Sequence, residues 1–142
     1  MKADRIASAW LIGRFIDADA VFLFVDSKSY VHSPGEIRFD MFLGEYTHQA
    51  DLCTFEVLIA EGGLRSDPAL VAIAEIVHDI DLREHRYQHP ETSGIARMVE
   101  GCARKQRLMN SGSNAARCYS TTSTRVPDDA YGRMAGSAFI GA

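Results

Sequence analysis

Apolar residues recur at helical spacing in four stretches of the chain, at positions 4–17, 52–60, 68–80 and 91–104. The third stretch has the strongest signals, because Asp67 suits a helix N-cap and Pro68 suits the first helical position. In the first stretch, Asp4 occupies the N-cap position before a mostly apolar run. The pattern therefore predicts four helices. The wide apolar surface of the first predicts that it is largely buried.

A short run of β-branched and aromatic residues at 21–25 is typical of an interior strand. The polar stretch 27–40 contains Ser33-Pro34-Gly35, a turn signal, so we expect a connection with one short element near 37–39. Weak alternation at 41–48 marks a candidate second strand. The predicted fold class is α+β and predominantly helical, with a small sheet packed on several helices and an irregular C-terminal tail.

The composition changes near residue 105. Of the 37 residues at 106–142, 15 are Ser, Thr, Gly, Asn or Pro, and only four are Leu, Ile, Val or Phe, against 30 of those four types in the first 105. Such a segment buries too little apolar surface to offset an ordering cost of about 1 to 2 kcal/mol per residue. We therefore predict one folded domain at 1–105 and a mostly disordered tail at 106–142.

Composition excludes several classes of protein. With 142 residues, 46% hydrophobic and 24% charged, the chain is typical of a single globular domain, neither fibrous nor disordered throughout. No apolar run, including that at 20–25, exceeds six residues, far fewer than the roughly 20 needed to cross a bilayer. The N-terminus lacks the layout of a secretory signal, and three cysteines without a C-x-x-C spacing suggest no disulfide framework. We expect a cytoplasmic protein.

The charge distribution argues against direct contact with nucleic acid. Residues 1–105 carry 11 Lys and Arg against 17 Asp and Glu, a net charge of −6, whereas 106–142 carry four against two. Binding to nucleic acid depends on neutralising phosphates with basic side chains. We therefore expect no direct nucleic-acid partner for this chain.

Two short stretches hold residue types that bind zinc or iron. In the first, His48 precedes Cys53 and Glu56 at the start of a predicted helix, and in the second, His78 and Asp81 lie three residues apart near the end of another. If the two helices pack side by side, the stretches form one divalent-metal site. The candidate ligands are His48, Cys53, Glu56, His78, Asp79 and Asp81. The alternative is structural, with His78 at a helix C-terminus and the aspartates serving the next turn.

Two further groups have open alternatives. The thiol of Cys53, at a helix N-terminus with His48 as a nearby base, is a candidate reductant or nucleophile, but buried packing is the favoured explanation. Arg5, with Ser8 one turn away, is a candidate anion site for a tetrahedral oxyanion. A salt bridge is the alternative role for Arg5.

Several of these segments, in order, resemble the C-terminal domain of bacterial chromate-resistance proteins of the ChrB type. They are Asp4-Arg-Ile-Ala-Ser-Ala-Trp-Leu-Ile-Gly-Arg-Phe-Ile-Asp17, Phe22-Leu-Phe-Val25, the stretch 48–56, Asp67-Pro-Ala-Leu and Ile76-Val-His-Asp-Ile-Asp81. The resemblance covers roughly residues 2–102. It implies a cytoplasmic protein encoded with a chromate efflux transporter that limits or senses chromate. It carries over no catalytic residues. Family members usually have a strand before the first helix and a further amphipathic helix at the end, so we expect a fold incomplete at both ends.

Three functional hypotheses follow. The first is a sensing or accessory domain in chromate resistance that binds a divalent metal, zinc or iron, or a chromate-related oxyanion. The second is a metal- or thiol-dependent redox enzyme with Cys53 as electron donor. The third is a structural interaction domain without a ligand. Chromate or another small oxyanion is the expected small-molecule partner, no membrane partner is expected, and a homo-oligomer stays open.

Overall fold

Four α-helices and three β-strands make up the part of the chain that the computed structural model describes, residues 3–25, 30–110 and 138–141. The helices are α1 (Ala3–Leu11), α2 (Thr54–Glu61), α3 (Pro68–Asp81) and α4 (Thr92–Asn110). The strands are β1 (Val21–Phe24), β2 (Glu36–Phe39) and β3 (Ala138–Gly141). The predicted α+β class, mainly helical with a small sheet, is confirmed.

The first helix differs from the prediction at its start. It begins at Ala3, so Asp4 lies inside its first turn and is fully buried rather than capping it. The helix continues beyond Leu11 as a π-helical turn, Ile12–Ile16, which ends where the backbone N–H of Asp17 donates to the carbonyl of Ile12. The assignment of Asp4 as the cap of its own helix was wrong, because its carboxylate serves another helix.

The ends of α2 and α3 follow the predicted signals. The side chain of Asp67 accepts the N–H groups of Ala69 at 2.8 Å and Leu70 at 3.3 Å, and Pro68 occupies the first helical position. The second helix ends at Glu61 with Gly62 as its C-cap. Gly63 then takes a left-handed backbone conformation, with φ of 68°, that glycine adopts without strain. Local sequence therefore determines where both helices stop or start.

The three strands form a parallel sheet in the order β1-β3-β2. The predicted strand at 21–25 and the short element near 37–39 are confirmed as β1 and β2. The interior position of the first was wrong, because Val21 and Leu23 are 47% and 42% exposed. Residues 41–48 form turns rather than a strand, joined to β2 through a bridge between Phe39 and Tyr46.

Part of the segment that the sequence assigned to the tail is ordered structure. The fourth helix extends past residue 104 to Asn110, and Ala138–Gly141 is the central strand of the sheet. The expectation of disorder is therefore wrong for 138–141. This short segment is ordered because it hydrogen-bonds to a strand on each side, β1 and β2. Residues 111–137 lie outside the described residues.

One core joins the sheet to the first three helices. The inner face of the sheet carries an aromatic group, Phe22, Phe39 and Phe139, whose ring centroids are 5.9 to 6.5 Å apart. Against it pack buried residues of the helices and their connections: Leu11, Ile12, Cys53, Phe55, Leu58, Ile59, Leu64, Leu70, Ala74 and Val77. This packing holds the start of α2 and the end of α3 beside α1. Among the described residues, no helix is long and apolar enough to span a bilayer.

Replacing Asp67 tests the cap of α3. The change Asp67→Ala leaves the N–H groups of Ala69 and Leu70 without their acceptor, so the free energy of unfolding should fall by about 1 kcal/mol in urea denaturation. The control Asp67→Asn keeps a side-chain acceptor and should lose much less. Equal stability of all three proteins would contradict this role.

Candidate metal centre

The site is built around Asp4, a carboxylate with no exposure to solvent. Its two oxygens accept the backbone N–H groups of Thr54 at 2.9 Å and Phe55 at 2.8 Å, the first two residues of α2. The hydroxyl of Ser8, one turn along α1, donates to the same carboxylate at 3.3 Å. Because the first N–H groups of a helix have no partner within it, Asp4 supplies from α1 the cap that α2 needs.

The side chains of two other potential metal ligands, His48 and Asp81, lie close to the Asp4 carboxylate. His48, in the loop before α2, places its Nε2 at 3.8 Å from Asp4 Oδ2 and 3.2 Å from Asp81 Oδ2. Asp81 is the last residue of α3, and its side chain is only 5% exposed. One ligand atom from each of these residues lies within 4.8 Å of the others, the only such group within 3–25, 30–110 and 138–141. We call these three residues the Asp-His-Asp cluster.

The charge balance of this cluster favours a cation. Burial raises the pKa of Asp4 above its ordinary value, and repulsion from Asp81 adds to this effect. The N–H groups of Phe55 and Thr54, and the neighbouring His48, act in the opposite direction without cancelling it. Two nearby carboxylates in a buried setting repel one another, and a divalent cation between them removes that repulsion.

The geometry of the Asp-His-Asp cluster fits a divalent metal. Ligand atoms about 2.0 to 2.2 Å from a zinc ion lie roughly 3 to 3.6 Å from one another, close to the separations of His48 Nε2 from the two carboxylates. The other ring nitrogen, Nδ1, lies 3.5 Å from the hydroxyl of Thr54. A proton on Nδ1 leaves Nε2 free to bind a metal, so Thr54 is placed to select that tautomer.

His78 and Glu56, also predicted as ligands, pair with each other instead. His78 Nδ1 lies 2.7 Å from Glu56 Oε2, and its Nε2 lies 3.3 Å from Glu84. The ring is fully buried and meets the edge of Tyr87. Burial lowers the pKa of His78, but hydrogen bonds with Glu56 and Glu84 outweigh it and raise the pKa overall. The imidazolium form, which donates from both nitrogens, satisfies both glutamates.

Cys53 is the N-cap of α2 and takes part in a capping box. Its thiol accepts the backbone N–H of Glu56, whose side chain accepts the N–H of Cys53 at 2.8 Å. The thiol is fully buried, and burial, followed by repulsion from Asp4, raises its pKa far above the ordinary value. A thiol in this state is a poor reductant or nucleophile, which favours the packing alternative.

Asp79 fulfils the structural alternative and serves the next turn. It is 5% exposed and accepts backbone N–H groups from Arg86, Tyr87 and Gln88 at 2.9 to 3.3 Å. Burial raises the pKa of Asp79, but these bonds outweigh it and lower the pKa overall. Its carboxylate therefore folds the loop after α3.

The candidate anion site has partners within the protein. Arg5 Nε lies 2.9 Å from Asp40 Oδ2, and its guanidinium also donates to the carbonyl of Asp40. Ser8 is buried and donates to Asp4. The salt-bridge alternative for Arg5 is therefore observed. Ser8 therefore supports the Asp4 carboxylate of the cluster, and Arg5 joins α1 to the residue that follows β2.

The six predicted ligands thus have three different roles in the structure. It brings His48 and Asp81 together, joins His78 to Glu56, and uses Cys53 and Asp79 as caps of backbone N–H groups. Asp4 is a further member of the site and was not among the predicted ligands. No local signal identifies it, because the groups it binds lie 50 and 51 residues away along the chain.

Comparison with known proteins identifies the family. The model of the ChrB C-terminal domain matches residues 1–120, and the chain belongs to this family. Protein ChrB of Cupriavidus metallidurans is 35% identical over 107 residues, which are 75% of this chain and 32% of that protein. The chain therefore spans about a third of the length of this curated relative. No solved structure matches the chain. The resemblance found in the sequence is confirmed.

Removal of the Asp4 carboxylate should destabilise the fold. Asp4→Ala leaves the buried N–H groups of Thr54 and Phe55 without an acceptor, so we expect a loss of about 2 to 4 kcal/mol in metal-free urea denaturation. Ser8→Ala is the matched control, because it removes one donor and leaves both backbone bonds, and should lose less than about 1.5 kcal/mol. Equal losses in the two variants would contradict the capping role of Asp4.

The contribution of His78 to stability should depend on pH. Its pKa in the folded protein is raised above the ordinary 6.5, so the imidazolium stabilises the fold below that pH, and this stabilisation disappears as pH rises through the folded pKa. His78→Gln should therefore lose more stability relative to the native chain at about pH 6 than at about pH 9. Urea denaturation at both pH values, with a chelator present, measures the difference. A larger loss at the higher pH would contradict this assignment.

Proposed function

We propose that this domain acts in chromate resistance as an accessory or sensing domain, in the cytoplasm, and binds one divalent metal ion, zinc or iron. Asp4, His48 and Asp81 are the proposed ligands. The observation that carries the proposal is the convergence of one ligand atom from each residue within 4.8 Å. The three residues come from α1, from the loop before α2 and from the end of α3. A metal ion would therefore join three segments that are far apart in sequence.

The ligand set supports zinc or iron over calcium. An imidazole nitrogen suits zinc and iron, whereas calcium takes oxygen ligands, usually six to eight. Three protein ligands leave at least one coordination position open in a tetrahedral or larger shell. His48 is 31% exposed, so solvent reaches the imidazole side of the cluster. A bound metal would supply a positive centre there for a water or an oxyanion oxygen, which is how we propose chromate approaches the domain.

A second candidate function is an interaction domain without a ligand. It is favoured by the turn after β2, where Phe42 and Leu43 are 85% and 70% exposed. This turn is held in place from both sides, since Asp40 donates its N–H to the carbonyl of Tyr46 and Arg38 forms an ion pair with Glu45. An ordered turn with exposed apolar side chains suits contact with another protein.

Metal analysis tests the first function against the second. The full chain, loaded with zinc or ferrous iron and then desalted, should retain about one metal ion per chain in elemental mass spectrometry. His48→Ala should abolish retention, because it removes a proposed ligand. Asp81→Asn should lower retention but leave weak binding, because it removes the charge of a proposed ligand and keeps one oxygen. His89→Gln is the matched control: His89 also pairs with a carboxylate, that of Glu75, but lies outside the cluster, so retention should be unchanged.

A chain that retains no metal, or variants that retain as much as the native chain, would contradict metal binding and favour the interaction domain.

The cobalt-loaded chain then tests the approach of the oxyanion. Adding chromate should change the visible absorption of bound Co²⁺ if an oxyanion oxygen reaches the metal. An unchanged spectrum at saturating chromate would contradict the oxyanion part of the proposal.

A further inference from the structure

We propose that Glu56 and His78 are positioning residues that hold the start of α2 against the last turn of α3, and so place Asp81 beside His48 and Asp4. This inference rests on the metal site proposed above. Glu56 and His78 bind no metal in this account. They act through the position of Asp81.

A single oxygen atom of Glu56 joins the two helices. Glu56 Oε2 accepts the N–H of Cys53, the N-cap of α2, at 2.8 Å and lies 2.7 Å from Nδ1 of His78 on α3. The carboxylate is only 11% exposed, and the ring of His78 is fully buried. A short, charge-assisted hydrogen bond shielded from water is stronger and better defined in geometry than an exposed pair.

The ring of His78 is fixed on its other sides as well. Its Nε2 lies 3.3 Å from Glu84, and the edge of Tyr87 packs against the ring with centroids 5.3 Å apart. Asp79 holds the loop that carries Tyr87, because it accepts the N–H of that residue and of its two neighbours. The imidazole therefore has a defined orientation towards Glu56.

The same two helix ends carry the Asp-His-Asp cluster. Asp81 follows His78 by three residues on α3, so both side chains lie on one face of the helix. On α2, Asp4 binds the N–H groups of Thr54 and Phe55, directly after Cys53. Separation of the two helix ends would move Asp81 away from Asp4 and His48. The Glu56–His78 bond opposes that separation.

A double-mutant cycle with zinc as the probe tests this role. In the full chain, His78→Gln and Glu56→Gln should each weaken Zn²⁺ binding by about 10-fold in competition titrations, the lower end of the effect of losing a partner that orients a ligand, because neither residue bonds to a ligand directly. Glu56→Gln keeps an oxygen for both N–H groups but removes the negative charge, so it tests the charge-assisted part of the link to His78 with the cap in place. In an Asp81→Asn background, the same two changes should alter affinity less than about 2-fold, because their effect acts through Asp81.

Two control variants separate positioning from general stability. His89→Gln breaks a partly exposed histidine pair on α3, that of His89 with Glu75 at 2.6 Å, which makes no contact with the Asp-His-Asp cluster, and should leave affinity unchanged. His78→Asn places an amide N–H near the position of Nδ1 and should recover most of the affinity that His78→Gln loses. Bound Co²⁺ should show an altered visible spectrum in His78→Gln and a native one in His89→Gln.

The outcomes are distinguishable. If the native chain binds no zinc, the proposed function fails and this inference fails with it. If the native chain binds zinc and His48→Ala abolishes binding, but His78→Gln and Glu56→Gln bind as tightly as the native chain, only the positioning role is overturned. Equal losses in the native and Asp81→Asn backgrounds would also overturn it, since they indicate an effect on the fold rather than on Asp81.

Discussion

The capping of α2 by a carboxylate from α1 is the interaction on which the rest of this structure depends. A helix start buried in the core leaves N–H groups that need acceptors. Asp4 provides them for Thr54 and Phe55 from a segment some fifty residues earlier in the chain. The bond therefore fixes α1 against α2. It also holds a carboxylate away from solvent, where burial raises its pKa and where a neighbouring carboxylate, Asp81, adds repulsion.

That arrangement links stability to the proposed function. Two adjacent carboxylates in a buried position repel each other and so oppose folding, whereas the same pair beside an imidazole is a suitable set of ligands for a divalent metal. A metal that binds only the folded chain would stabilise it, by an amount that grows with the logarithm of the metal concentration. The stability of the folded domain would then depend on whether the metal is bound, which is how a sensing domain could respond to it. The link between Glu56 and His78 serves the same site, because it joins the two helix ends that carry its ligands.

Local signals predicted much of the fold and only part of the site. The cap at Asp67, the apolar run of β1 and the spacing of His78 and Asp81 on one helix face depend on neighbouring residues, and sequence reveals such features. The strand Ala138–Gly141 was missed, because four apolar-rich residues within a polar segment are stable only between two partner strands. Likewise, spacing predicted that His78 and Asp81 lie on one helix face. It could not show that His78 pairs with Glu56 whereas Asp81 pairs with His48.

The most direct test of this account is a crystal structure of the zinc-loaded chain, with data recorded on both sides of the zinc absorption edge. We expect one anomalous peak within about 2.0 to 2.2 Å of a carboxylate oxygen of Asp4, of His48 Nε2 and of a carboxylate oxygen of Asp81. We also expect that His78 stays paired with Glu56 and outside the coordination shell. A peak bound by His78 or Cys53, or no peak at the Asp-His-Asp cluster, would contradict this account.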